Sequence, residues 1–281
     1  SIKSAIWMLF ASLNFALLNT LVKFLSKDFH LTQIIFFRSF FAVVFILPWI
    51  LNNGFKSLKT NSYRLQLSRS LLALIAMYLW FYSISNIPLA KATAINFTAP
   101  VFGAIFAIFL LKEKIKKKRF FAIVLSFLGA LIIIRPGFIE INFFIIIALI
   151  ASLLMGVAAI FIKKLSMIDH PNSVVFYMPT FLAVVSFIPC IIYWENPTTY
   201  QYLLLIATGL TATFAHQAIT RAFALSDATY VLVFDYVRLP FTAVFAFYLF
   251  SELTSIWVWI GGFIIFFSSA YIVYREKKLG S

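Results

Sequence analysis

The sequence predicts an all-α polytopic membrane protein, with ten transmembrane helices arranged as two inverted five-helix repeats. Three observations carry this reading. Of the 281 residues, 63% are hydrophobic and only 11% charged, against about half and a quarter in soluble domains. The apolar residues fall into ten runs of spanning length. The two halves also echo each other at a nearly constant spacing. Such a composition excludes a soluble globular enzyme, a disordered chain and a disulfide scaffold. Ten spans of about 20 residues would use roughly 200 positions, which leaves only short loops.

The runs lie between charged or Pro-rich breaks, at approximately 4–25, 31–52, 67–87, 89–111, 119–135, 142–164, 172–194, 200–224, 227–250 and 255–274. Only the turn at Pro88 separates spans three and four. Because the runs are continuous rather than alternating, helices are predicted over a barrel. The first run is longer than a signal-peptide core and lacks a small-residue cleavage site, so it reads as a span. The single Cys190 permits no internal disulfide and no cysteine metal cage.

Orientation follows from charge. With a cytoplasmic N-terminus, the inner segments collect 16 Lys and Arg and the outer segments four: Lys23, Lys27, Lys91 and Arg135. Arg38, Arg221 and Arg238 fall within spans. This bias predicts both termini inside. It also accounts for the net charge of +14 without a nucleic-acid partner.

The halves divide near residue 138, giving repeats at 1–138 and 139–281. Lys23-Phe24-Leu25 is echoed by Lys163-Lys164-Leu165, and His30 by His170. Phe36-Phe37 is echoed by Phe176-Tyr177, and Leu110-Leu111-Lys112-Glu113 by Leu249-Phe250-Ser251-Glu252. Five spans per half force the second half to enter the membrane from the opposite side. Repeats of this kind characterise secondary transporters that bind substrate at the repeat interface.

Several stretches resemble the drug/metabolite transporter superfamily, specifically its ten-helix EamA-type branch. They are Phe36-Phe37-Arg38-Ser39-Phe40, Met77-Tyr78-Leu79-Trp80-Phe81-Tyr82, the run from Pro88 through Ala99-Pro100 to Lys114, Leu128-Gly129-Ala130 with Arg135-Pro136-Gly137, and Asp235-Tyr236-Val237-Arg238-Leu239-Pro240. The resemblance covers essentially the whole chain. It implies a central cavity lined by spans 1, 3, 4, 6, 8 and 9. It also implies a carrier of amino acids or their charged derivatives, including S-adenosylmethionine-like and quaternary-ammonium molecules. Drug or nucleotide-sugar carriage is the rival within transport. An intramembrane enzyme or a membrane assembly protein is the rival outside it.

The candidate site residues are few, because polar groups inside spans are. Asp235 is the only acidic residue deep in a span, about 12 Å from its inner end. A charge there needs a partner or a use. Arg238, three residues on, shares its helix face. The two read either as an ion pair stiffening span nine or as ammonium and carboxylate sites for a zwitterion. Proton carriage by Asp235 is the weaker reading beside a permanent cation. Arg38 lies about 10 Å into span two; capping of neighbouring carbonyls or snorkelling is the favoured role, with substrate contact the alternative. His216 and Gln217 in span eight are read as packing groups or a relay.

Pro100 and Pro240 interrupt spans four and nine at matching points, as hinges or as marks of the substrate site. Asn96, one turn before Pro100, and Asn14 in span one are further candidate polar contacts. Trp7, Tyr78, Trp80, Tyr82 and Tyr236 are candidates for an aromatic wall able to take a methylated cation or to stack a nucleobase. No nucleotide-binding phosphate loop is present, so ATP is not expected to drive the protein directly. No cofactor or metal site is expected. The expected partners are a small solute and membrane lipid, with a proton or Na+ as candidate coupling ion, in a monomer or homodimer.

Overall fold

A computed structural model describes residues 2–113, 117–134, 142–252 and scattered positions between 256 and 271. Span ten, the repeat boundary at 138 and the Arg135-Pro136-Gly137 stretch therefore lie largely or wholly outside the described residues. The helices are α1 (Ile2–Leu25), α2 (Leu31–Asn53), α3 (Tyr63–Asn86), α4 (Leu89–Asn96), α5 (Thr98–Leu111) and α6 (Lys117–Ile134), followed by α7 (Phe143–Ser166), α8 (Pro171–Ile192), α9 (Thr199–Leu225), α10 (Ala228–Val233) and α11 (Arg238–Phe250). Eight helical segments among the described residues are long and apolar enough to cross a bilayer, counting α4 with α5 and α10 with α11.

Large apolar side chains such as Leu51, Phe109, Val184 and Tyr248 face outward. Small and polar ones, including Ser4, Ser12, Thr93, Ser152 and Thr208, are buried. This inversion suits a bundle in lipid, where helices pack through small residues and polar groups bond internally. Helix α1 packs along α9, α2 along α8, and α3 and α5 along α7. Gly156 of α7 permits the α5–α7 crossing. A Cβ there would stand 2.8 Å from the Ala99 carbonyl oxygen and 2.9 Å from the Gly103 nitrogen.

The two spans expected to be interrupted are both broken. The α4–α5 junction falls at Phe97, and a 3₁₀ turn at Phe234–Val237 separates α10 from α11. Each break lies just before a proline. Pro100 and Pro240 lack an N–H, and their rings crowd the carbonyl four residues earlier, at Asn96 and Tyr236.

Two of the matched sequence pairs occupy similar places in the structure. His30 and His170 are N-caps of α2 and α8, each accepting the backbone N–H two residues on. Lys23 bonds the Ile87 carbonyl at the end of α3; Lys163 bonds the Phe223 and Ser226 carbonyls at the end of α9. Both thus answer the unmade carbonyls of a helix C-terminus.

Candidate functional site

A cavity of about 160 Å³ lies in the middle of the bundle. Its wall draws on spans 1, 3, 4, 6, 8 and 9, and additionally on Arg38 of α2 and Met178 of α8. Most of the wall is apolar. Its charged members are Asp235, Arg238, Arg38 and Arg69.

The break before Pro240 positions the first two. Asp235 lies in the 3₁₀ turn, and Arg238 opens α11. Arg238 Nη2 donates to Asp235 Oδ2 at 3.0 Å and to Asn96 Oδ1 at 2.5 Å. Asn96 sits at the matching break in the other half, and its amide donates to Ser152 Oγ at 3.1 Å. One guanidinium therefore ties the two broken spans together. Among the described residues Asp235 Oδ1 has no hydrogen-bond partner, so half of the carboxylate is uncommitted.

Phe15 lies next to this group, with the Arg238 Cζ 5.8 Å from its ring centroid. On its other side the His216 ring meets it edge-on, at 5.3 Å. His216 Nε2 and Arg38 Nη2 are 2.9 Å apart. Trp80 closes another part of the wall, its indole N–H donating to Asn19 Oδ1 at 3.0 Å.

Of the sequence candidates, the structure brings Asp235, Arg238, Asn96, Arg38, His216, Trp80 and Pro100 to the cavity. The other candidates lie elsewhere. Tyr82 is half-exposed on the outer surface, packed on Phe144. Asn14 bonds the Phe10 carbonyl within its own helix. Trp7 lies beneath the Arg221 guanidinium. Tyr236 is buried against Phe97. Tyr78, Gln217 and Pro240 are not on the cavity wall.

Sequence reasoning missed Phe15, Asn19 and above all Arg69. By position Arg69 falls among the 16 inner Lys and Arg of the charge bias. It is 1% exposed and sits in the second turn of α3, its Nη1 bonded to the Val174 carbonyl. The helix begins at Tyr63, four residues ahead of the apolar run, and so carries Arg69 inward.

Residues 2–135 match the EamA-like transporter family. Over 97% of its length the chain is 30% identical to the S-adenosylmethionine uptake transporter of Rickettsia bellii, covering 94% of that protein. This chain belongs to the EamA-like transporter family. It is a multi-pass membrane transporter of small metabolites rather than an enzyme. The riboflavin transporter of Vibrio cholerae is also 30% identical, over 99% of this chain and 95% of its own. The pseudopaline exporter of Pseudomonas aeruginosa is 28% identical over 91% and 90% of the two chains. A crystal structure with 13% sequence identity shares the EamA-like chain's fold at a TM-score of 0.78, over 99% of this chain and 98% of its own.

Proposed function

We propose that this EamA-like protein is a secondary transporter of a bacterial inner membrane, moving an amino acid or a charged amino-acid derivative by alternating access. The substrate's cationic group, an ammonium, sulfonium or quaternary ammonium, sits against the uncommitted oxygen of Asp235. That oxygen is the observation that carries the reading. A buried, cavity-lining carboxylate with one oxygen paired and the other without a partner among the described residues is suited to a cation. The nearby rings of Phe15 and Trp80 add favourable surface for it. A relative named for S-adenosylmethionine, a sulfonium zwitterion, supports the same class.

The proposal includes ten helices in two inverted repeats with both termini cytoplasmic. Support comes from the nearly constant offset of the paired devices and from the Lys and Arg bias. The test is flux of labelled S-adenosylmethionine, amino acids and riboflavin into proteoliposomes. Saturable uptake of a cationic or zwitterionic solute, reduced by Asp235→Asn, is the expected result. Uptake confined to uncharged riboflavin, or insensitive to Asp235→Asn, would overturn it.

A further inference from the structure

Away from Asp235, three cavity side chains carry more hydrogen-bond donors than the protein supplies acceptors for. Arg38 and Arg69 are each 1% exposed. Among the described residues, Nε and Nη1 of Arg38 and Nε and Nη2 of Arg69 are buried without a partner. A guanidinium has donors only, so in its bond with Arg38 the His216 Nε2 must accept. The imidazole proton is then on Nδ1, which also lacks a partner. The result is a set of unfilled donors on two permanent cations that repel one another.

No described carboxylate offsets this charge. Asp235 bonds Arg238, Asp169 accepts from Thr60, Asn61 and Gln66, and Glu252 pairs with Lys23. A buried cation without counter-charge or acceptors is strongly disfavoured. Two on the wall of one cavity are worse, unless the acceptor arrives from outside.

We propose that Arg38, Arg69 and His216 form an oxyanion subsite that seats a carboxylate or phosphate group of the transported solute, across Phe15 from Asp235. The inference rests on reading this cavity as the substrate's and divides it into two poles. Asp235 takes the cationic end and the Arg38–Arg69 pair the anionic end, with one aromatic ring between them. Arg238, whose Nη2 is engaged with Asp235 and Asn96, serves to hold the two broken spans together. Planar guanidinium forks match an oxyanion in bidentate geometry. His216 orients Arg38 and adds its Nδ1–H.

The experiment uses the purified full chain and small anions as probes. The melting midpoint is followed while sodium acetate or sodium phosphate replaces sodium chloride at constant ionic strength. The wild type is expected to be stabilised saturably by at least one of the two oxyanions. In Arg38→Gln and Arg69→Gln the apparent affinity should fall about tenfold or more, the scale of a lost charge-assisted hydrogen bond. Arg69→Lys keeps a charge and should lose less, which covers the case in which the Gln variant does not fold. A stronger response to acetate assigns a carboxylate, and a stronger response to phosphate a phosphate group. No saturable response in the wild type, or an equal response in the variants, overturns the subsite. The anion response is read without transport. An intact response with no flux of any amino-acid derivative would therefore remove the substrate reading and leave the subsite standing.

Discussion

Glu113 and Glu252 stand 139 residues apart in sequence, and each caps the broken span of the other half. Glu113 accepts the Ala228 and Thr229 backbone N–H groups at 2.8 and 3.2 Å. Glu252 accepts the Leu89 N–H at 3.1 Å and is paired with Lys23 at 2.8 Å. Each glutamate follows a residue in the left-handed region, Lys112 or Ser251, that turns the chain out of α5 or α11. The two broken spans thus run antiparallel, with a carboxylate latch at each end.

These latches lead to a prediction about access. If the ends of the broken spans separate in turn, weakening one latch should bias the cavity open at that end. In a Cys190→Ala background, a cysteine at Ala76 on the cavity wall would report this. Glu252→Gln should speed its modification by an impermeant reagent added outside cells, and Glu113→Gln should slow it. Changes of the same sign in both variants would remove the latches from the access cycle.

At Gly156 the expected effect is one of stability. A methyl group there meets backbone atoms of Ala99 and Gly103 below 3 Å, and backbone cannot step aside as a flexible side chain does. Gly156→Ala should therefore lose about 1–3 kcal/mol through forced separation of α5 and α7. A melting midpoint unchanged from the wild type would show that the helices do not cross this closely.

His170 connects stability to pH. Partial desolvation, then the Arg221 charge, lowers its pKa below the ordinary value of 6.5. Its Nδ1 caps the Asn172 N–H, and its ring stacks on Trp49 at 4.9 Å. The folded state thus prefers the neutral ring, and the unfolded chain binds the proton more readily. This contribution is present above about pH 6.5 and is lost as pH falls towards the depressed folded value. His170→Asn keeps a capping side chain without the titration. Its melting midpoint should fall less than the wild type's between pH 7.5 and 5.5; parallel curves would refute the assignment.

Much of this arrangement was legible in the sequence, for identifiable reasons. Spans show because lipid demands long apolar runs, and the breaks show because proline cannot donate. Asp235 stood out as a lone deep acid. Arg69 did not, because a cation near a span end normally reaches the interface. A finer reading of α3 had a usable signal: Arg69, Ala73, Ala76, Met77 and Trp80 recur at helical spacing, and all reach the cavity. Tyr82, two residues after Trp80, lies on a different face for the same reason. Phe15 was one Phe among 35, and only the packing of α1 on α9 sets it between Arg238 and His216.

The orientation has its own test. With the termini and the 112–119 loop cytoplasmic, a cysteine beside Ser57 should be shielded from an impermeant thiol reagent in intact cells. One beside Asn196 should react. Burying Arg69 and Lys163 removes two inner charges from the bias without reversing it. The opposite labelling pattern would invert the orientation.

The last prediction separates a structural role for Asp235 and Arg238 from a binding one. They are 3.0 Å apart in a buried setting, so either single neutralisation strands a charge. Asp235→Asn and Arg238→Gln should each destabilise the fold, on the order of 3 kcal/mol. In the double variant both charges are gone, so most of the stability should return. Binding should not return with it. If the open oxygen of Asp235 receives the substrate's cation, the double variant stays weakened by more than about 1 kcal/mol in affinity, although it melts near the wild-type midpoint. Full flux in that refolded double variant would make the pair purely structural, leaving the Arg38–Arg69 end and the aromatic surface as the cavity's only means of selecting a solute.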